Sequence, residues 1–195
     1  MHWSICDFIA DIAHNALHAE PSRVEIQIEQ TPGRFHFSVS DNGRGMNKEQ
    51  QQRAIDPFYS DRRNHPDRKV GLGLPMLIQT VELTGGRYVL DSTQGTGTTV
   101  AADFSLDNID TPPIGDIVGT ICSLMGYEPG PELEITRRYQ HREETEPREY
   151  RLLRTELIEA VGDLNDVVGI GMAQTYIRSQ EDWVKGDITY GKNES

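Results

Sequence analysis

The sequence predicts an α+β fold followed by a small α+β extension. Several segments repeat apolar residues at helical spacing, whereas others alternate apolar and polar residues as half-buried strands do. The strand segments come in neighbouring pairs joined by short turns, the arrangement of antiparallel hairpins. A chain of 195 residues is long enough for one full domain with an appendage.

The first predicted element is an amphipathic helix that stops at Pro21, with Ser4 as its N-cap. A second stripe of this helix carries Asp11, Asn15 and His18 at i, i+4 and i+7, so an acid and an amide project towards one ligand. Such a pair can hold hydrated Mg²⁺ and orient an attacking oxygen, although a solvated polar face has the same pattern. The apolar positions of the core-facing stripe are Ile5, Phe8, Ile9, Ile12, Ala16 and Ala19.

Two strands over residues 24–29 and 35–39 follow and are predicted to form a hairpin. The second strand delivers Asp41 to the sheet edge, on the side of the first helix. The run that begins there, Asp-Asn-Gly-Arg-Gly-Met over residues 41–46, combines a carboxylate with two glycines that let the backbone approach a ligand. A turn that binds nothing is the alternative interpretation.

A Gly-x-Gly loop is predicted to open the next helix, with Gly71 and Gly73 before Pro75 in the first turn. Backbone N–H groups and the positive end of the helix dipole form an anion site at such a terminus, suited to nucleotide phosphates.

The last pair of strands before residue 108 spans residues 87–91 and 99–104 and is joined by a glycine turn at 95–98. Each of these segments alone has an ordinary structural explanation. In this fixed order and spacing, the four segments together describe an ATP pocket.

Their arrangement resembles the superfamily of ATPases that includes gyrases, heat-shock chaperones, histidine kinases and mismatch-repair proteins. The resemblance covers roughly residues 4–105 and implies the Bergerat fold, a two-layer α/β sandwich whose mixed sheet is covered on one face by helices. It implies ATP and Mg²⁺ as cofactors, with Asn15 at the metal and Asp41 against the adenine amino group. The other nucleotide-binding residues that it implies are Gly43, Gly45, Met46, Lys69, Gly71, Leu72, Gly73, Leu74 and Thr98.

Asp11 is the catalytic residue that the resemblance implies. Four positions before the metal-binding amide, hydrolysing relatives carry glutamate as general base and histidine kinases usually carry asparagine. Asp11 keeps a carboxylate, but its side chain is one methylene shorter than that of glutamate. Whether the carboxylate reaches a γ-phosphate is therefore an open question at the level of the sequence. The protein is therefore expected to be a kinase or ATPase, or else a non-catalytic nucleotide-sensing regulatory or assembly module.

The segment after the first glycine box also resembles histidine kinases. Residues 56–60 are similar to the Phe-containing box that precedes their lid, and the lid over residues 57–70 is short. Its four cations, Lys69 among them, could contact phosphates or form a solvated charged loop.

We expect the protein to act in trans on a partner protein, as the anti-sigma-factor relatives do. Only ten residues precede Asp11, which leaves no room for a dimerising hairpin with a phosphoacceptor histidine; a homodimer remains open. The net charge of −12 argues against nucleic acid as the main partner. No signal peptide or membrane-spanning run is visible, and the two cysteines are expected to be free thiols, so a cytoplasmic location is expected.

The predicted domain boundary gives an ATP-binding domain over residues 1–107, an extension over 108–185 and a disordered tail over 186–195. The extension is either a packing layer or a partner-docking region. Residues 109–116, followed by a strand with Tyr139 and His141 and a helix start at residues 162–165, resemble short bacterial ATP-binding proteins encoded beside iron-only hydrogenase and NADH-dehydrogenase-like subunits. This resemblance implies a hydrogenase-related partner. Its predicted elements are a helix with an apolar stripe over 114–125, strands at 133–139 and 150–152, and helices at 154–161 and 166–184.

A zinc site is a further hypothesis for the first helix. His14 and His18 stand at i and i+4 beside Asp11, but the two positions after His14 lack the zincin pattern and no distant third ligand stands out.

Overall fold

The computed structural model describes residues 4–56 and 73–186. Helices and strands alternate along these ranges, and each is numbered in chain order. The elements are α1 Ile5–Leu17, β1 Arg23–Thr31, β2 Arg34–Asp41, α2 Lys48–Ile55, α3 Gly73–Leu83, β3 Arg87–Thr93, β4 Gly97–Ser105, α4 Ile117–Met125, β5 Glu132–Tyr139, β6 Arg148–Leu153, α5 Arg154–Val161 and α6 Val167–Lys185.

The six strands form one mixed sheet in the order β3-β4-β2-β1-β5-β6. Neighbouring strands are antiparallel except β1 and β5, which run parallel with Val24 opposite Leu133. The extension therefore adds β5 and β6 to the same sheet that the first 107 residues begin. The domain boundary at residue 108 stays a prediction. Strands from both sides of residue 108 form one sheet.

One face of the sheet is buried beneath helices and the other is polar. In β1 every second side chain is buried, starting at Val24, and the intervening positions such as Glu25 and Gln27 are exposed. The register places Phe37 of β2 and Ile135 of β5 on the same buried face. Helices α1, α3, α5 and α6 pack on strands, and α4 packs on α1 and α6. The predicted α+β sandwich, with helices on one face of a mixed sheet, is confirmed.

The start of α1 is held by a local capping box and by the segment that precedes α4. Ser4 and Asp7 form a capping box, as expected for an N-cap serine. The N–H groups of Ile5 and Cys6 donate to the carbonyls of Pro113 and Ile114, both at 2.9 Å. The first residues of the extension thus satisfy donors that a helix start leaves unpaired.

Ile114 lies before α4, although the apolar stripe predicts it inside that helix. Asp116 is the N-cap, since its carboxylate accepts from the N–H of Gly119 at 2.9 Å. An aspartate at this position favours a helix that starts directly after it over one that extends back to Ile114, because its side chain satisfies an unpaired helix donor.

Helix α2 was not predicted from the sequence. This helix buries none of its residues, so it has no apolar stripe from which a helix could be recognised. Asn47 and Gln50 form a capping box at its start, and Arg53 pairs with Glu49 one turn away. This helix is therefore stabilised by local hydrogen bonds and a charge pair, and not by burial of its own side chains.

A buried ion pair fastens α6 to the sheet. Arg137 of β5 is fully buried, and its Nε lies 3.0 Å from Glu181 Oε1 of α6. The Tyr150 hydroxyl donates to the same oxygen at 2.8 Å, and Gln30 Oε1 accepts from Arg137 at 2.7 Å. Glu181 Oε2 has no hydrogen-bond donor but lies 3.2 Å from Lys185 Nζ. Side chains from β1, β5, β6 and α6 thus meet around one buried charge pair.

Both cysteines are free thiols, Cys6 buried and Cys122 half-buried. Burial raises the pKa of Cys6 to about 11, so this thiol stays protonated and unreactive at neutral pH. No helix within residues 4–56 and 73–186 combines the length and apolar character needed to cross a bilayer.

Candidate functional site

Asp41 ends β2 with its side chain buried at the sheet edge. Its Oδ1 accepts from the N–H of Gly43 at 2.8 Å. Burial raises the pKa of the Asp41 carboxyl, and backbone hydrogen bonds from Gly43 and Thr98 partly oppose that rise. The structure therefore holds one oriented acceptor at the base of the predicted pocket.

Two glycines allow the loops around Asp41 to touch backbone to backbone. Gly45 has φ +58° and Gly97 has φ +135°, conformations that side chains with a Cβ rarely adopt. A Cβ added to Gly97 would lie 1.9 Å from the Asp41 carbonyl oxygen, and one added to Gly45 would lie 2.0 Å from the carbonyl of Thr93. The first and last glycine segments of the sequence are thus packed against each other.

Replacing Gly97 by alanine is expected to lower the free energy of unfolding by about 2–3 kcal/mol and to weaken nucleotide binding, because the new methyl group must push Asp41 aside. Denaturant unfolding and calorimetric titration with ATP measure the two effects. Gly95→Ala is the matched control: its φ is +80° with no atom within 4 Å of the added Cβ, so about 1 kcal/mol of backbone strain is expected without loss of affinity. Equal behaviour of both variants would contradict the proposed close packing.

Ser92 joins the two glycine segments and was missed from the sequence. Its Oγ accepts from the N–H of Met46 at 2.8 Å, lies 3.0 Å from the Gly97 carbonyl oxygen and 2.8 Å from Thr98 Oγ1. The available signal was a hydroxyl at an inward position of β3, two residues after Leu90. A buried hydroxyl is normally hydrogen-bonded, so an inward serine beside glycine loops indicates a connecting role.

The C-terminal end of α1 is also fixed to the Asp41 loop. The Ala19 carbonyl accepts from the N–H of Arg44 at 3.0 Å. Asn42 Oδ1 accepts from the backbone N–H groups of Ser22 and Arg23, both at 3.0 Å. Asn42 was likewise not predicted as a site residue, since a turn asparagine has no long-range signature.

The other end of the site is formed by α1 and the start of α3. A Cβ added to Gly73 would lie 3.0 Å from Asp11 Oδ2, so this carboxylate borders the first residue of α3. Asn15 follows one turn later on α1 and is exposed. The side chain of Leu74 is buried in the core, which leaves only its backbone for a ligand. The structure thus brings Asp11, Asn15 and Gly73 to one place.

Three predicted nucleotide-binding residues, Lys69, Gly71 and Leu72, lie outside the described residues, as do the predicted lid and the rest of the Phe-containing box after Asp56.

The histidines of α1 face the extension. The rings of His14 and His18 lie 6.2 and 5.7 Å from the ring of Tyr127, measured between centroids. His18 Nδ1 donates to the His14 carbonyl at 2.6 Å, which leaves Nε2, 3.4 Å from the Tyr127 hydroxyl. In the described ranges no three His, Cys, Asp or Glu side chains cluster as a metal site.

The geometry suits a ligand with an amino group at one end and anionic groups at the other. Asp41 presents a buried acceptor, and Asp11 and Asn15 present oxygen atoms of the kind that Mg²⁺ prefers. The absence of a Cβ at Gly73 lets the start of α3 lie against the Asp11 carboxylate, and the backbone N–H groups of a helix start can bind an anion. These residues fit ATP with a divalent cation.

Residues 4–108 match the model of a family described as histidine kinase-, DNA gyrase B- and HSP90-like ATPases. The virulence sensor protein BvgS of Bordetella bronchiseptica is 38% identical over 85 residues, which is 40% of this chain and 7% of BvgS. The sensor protein DivL of Caulobacter vibrioides is 36% identical over 90 residues, 45% of this chain and 11% of DivL. This chain thus corresponds to a small part of both sensor proteins.

Among solved structures, the catalytic domain of the histidine kinase ThkA is 18% identical with a TM-score of 0.40, covering 54% of this chain and 66% of that one. Full-length ShkA, solved in complex with AMPPNP, is 22% identical with a TM-score of 0.40, covering 53% of this chain and 22% of ShkA.

Proposed function

This chain belongs to the histidine kinase-, DNA gyrase B- and HSP90-like ATPase family, whose model matches residues 4–108, and we propose that it binds ATP with Mg²⁺ and acts on a partner protein as a kinase or ATPase. The observation that carries the proposal is the pair of site ends: a buried acceptor at Asp41, the last residue of β2, and the carboxylate of Asp11 of α1 beside Gly73.

Each end has a distinct chemical task in this proposal. Asp41 accepts from the adenine amino group and sets the orientation of the base. The N-terminus of α3 binds the phosphates through backbone N–H groups. Mg²⁺, held by Asn15, would neutralise charge on the phosphate oxygens. Asp11 then orients the attacking oxygen or accepts its proton.

The acceptor of the phosphoryl group is proposed to lie on another polypeptide. The histidines of the described ranges each contact another group of the fold, which supports a structural role for them: they are His14, His18, His36 and His141. The resemblance of the extension to proteins encoded beside iron-only hydrogenase makes a hydrogenase-related cytoplasmic protein our first choice of partner.

A non-catalytic nucleotide sensor is the second candidate, and the short side chain of Asp11 favours it. Single-turnover assays with γ-labelled ATP, alone and with protein from the native source, distinguish the two. Released phosphate or a labelled partner supports the enzyme, with loss of signal in Asp11→Ala. Tight ATP binding with neither product would sink the enzyme and leave the sensor.

Replacing Asn15 by alanine is expected to weaken ATP binding about tenfold in the presence of Mg²⁺ and much less in EDTA, because the amide oxygen acts through the metal. Calorimetric titrations under both conditions measure this. Gln52→Ala, which removes an exposed amide on α2, is the control and should change neither affinity. Equal losses with and without Mg²⁺ would remove Asn15 from the metal.

A further inference from the structure

A cleft beside the start of α5 is lined by a buried arginine. Residues 128–132, which lead into β5, form one wall of this cleft, and Arg154, Thr155 and Ile158 of α5 form the other. Its volume is about 700 Å³, which is within the usual range for sites that bind small molecules. None of these residues belongs to the proposed ATP site, so the cleft is a separate feature of the extension.

The Arg154 guanidinium has few partners for a buried group. Arg154 is 7% exposed. Its Nη1 donates to the Pro131 carbonyl at a long 3.3 Å, and its Nη2 lies 3.7 Å from Glu128 Oε1, too far for a hydrogen bond. Within residues 4–56 and 73–186, its Nε has no hydrogen-bond partner. Both Nη groups lie against residues that line the cleft, and a buried guanidinium normally has its N–H donors paired. An acceptor placed in the cleft would therefore satisfy donors that the fold leaves unused.

The start of α5 favours an acceptor in the same place. Leu153 is the N-cap of α5, and no side-chain hydrogen bond from this residue caps the helix. Glu132 Oε1 accepts from the N–H of Thr155 at 3.4 Å, which is also a long contact. The positive end of the helix dipole thus lies at the wall that carries the Arg154 guanidinium. The planar fork of a guanidinium pairs well with a carboxylate or a phosphate.

The acidic residues of the cleft decide between these anions. Glu128 is half exposed and Glu132 is half-buried, and Arg154 is the cation that faces them among the lining residues. A phosphate would bring further negative charge to these two carboxylates. A ligand that carries a cationic group beside its own carboxylate pairs with the arginine and with the glutamates together. Pro131 and Ile158 add apolar surface to the two walls.

We propose that this cleft binds a free α-amino acid with an apolar side chain. The ligand carboxylate pairs with the Arg154 guanidinium at the start of α5, and its ammonium group pairs with Glu128 and Glu132. Gly130 shapes the cleft, since a Cβ at this position would lie 2.2 Å from Arg154 Nη1. The glycine therefore lets the guanidinium lie directly against the loop that forms the other wall.

Titration of the isotope-labelled full chain with L-leucine, followed by amide proton and nitrogen chemical shifts, tests the proposal. Saturable shifts are expected with a Kd below about 1 mM. The largest changes should occur at the Nε–H of Arg154 and at the backbone N–H groups of residues 128–132 and 154–158. L-Leucinamide lacks the carboxylate and N-acetyl-L-leucine lacks the ammonium group, so each should bind about tenfold more weakly or worse.

Two variants examine the two charged ends of the ligand. Glu128→Gln should weaken L-leucine binding about tenfold, because one of the carboxylates that face the ammonium group is lost. Glu146→Gln is its matched control: it makes the same change at an exposed position in the turn between β5 and β6, at the other end of β5 from Glu132. Arg154→Lys keeps the charge but loses the planar fork, and a similar weakening is expected. Thermal unfolding of the three variants separates loss of the site from loss of the fold, and Glu128→Gln keeps the test valid if Arg154→Lys does not fold.

Four outcomes would overturn the proposal. The first is the absence of saturable shifts with L-leucine, and the second is a set of shifts that lies outside the cleft. The third is equal affinity for L-leucine and N-acetyl-L-leucine or inorganic phosphate, which would make the cleft a simple anion site. The fourth is wild-type affinity for L-leucine in Glu128→Gln. ATP binding by a chain that shows any of these outcomes would leave the nucleotide site in place and remove only the amino acid site.

Discussion

Replacing Glu181 by alanine is expected to lower the free energy of unfolding by about 3–5 kcal/mol, the range found when a buried charge loses its partner. Arg137 would stay fully buried without a counter-charge, and the Tyr150 hydroxyl would lose its acceptor. Urea unfolding followed by circular dichroism measures the loss. Since the pair anchors α6, the slope of the transition also reports whether this helix detaches before the sheet unfolds.

Glu149→Ala is the matched control for this prediction. It removes a carboxylate that pairs with Arg138 on the same strand as Arg137, but both side chains are 43% exposed. A surface pair of this kind contributes about 0–1 kcal/mol. A double variant, Arg137→Met with Glu181→Leu, should recover most of the stability, because neither charge is then buried alone. Similar losses for Glu181→Ala and Glu149→Ala would show that burial of the pair has no energetic consequence.

Replacing Asp41 by asparagine is expected to weaken ATP binding by about 10- to 100-fold, corresponding to roughly 1–3 kcal/mol for a buried mismatch. The amide places an N–H donor where the proposed adenine amino group also donates. Isothermal calorimetry measures the affinity. Asp91→Asn, on an exposed position of the opposite face of the sheet, should bind ATP as the wild type does. Unchanged affinity in Asp41→Asn would remove Asp41 from the nucleotide site.

The same residue predicts how affinity depends on pH. Burial raises the pKa of the Asp41 carboxyl, so it becomes protonated at a higher pH than an ordinary aspartate. The protonated carboxyl presents a donor to the adenine amino group, and ATP affinity should fall as the pH falls through that raised pKa. Asp41→Asn, which cannot titrate, should show a smaller pH dependence over this range.

Local elements were predictable because their sequence signals are local. The predicted bounds of α5, residues 154–161, agree with the structure, and the alternation of β1 gave its buried face. Arg137 was not predictable as a core residue, because its neutralising partner Glu181 lies 44 positions away. The role of Ser92 was hidden for the same reason, since its partner Met46 is 46 positions away. The site residues that the structure brings together, Asp11 and Gly73 among them, were predicted from the order and spacing of four sequence segments.

The parallel pairing of β1 with β5 has a consequence for how the protein forms. Residues opposite each other on these strands, such as Glu29 and Arg138, are 109 positions apart. Closing so long a loop is entropically costly and slow. During synthesis β1 is made well before β5. Until β5 has been made, the edge of β1 that faces away from β2 has no partner strand, and unpaired strand edges are prone to aggregation. The first four strands are therefore expected to reach full stability only once β5 has been made and has paired with β1.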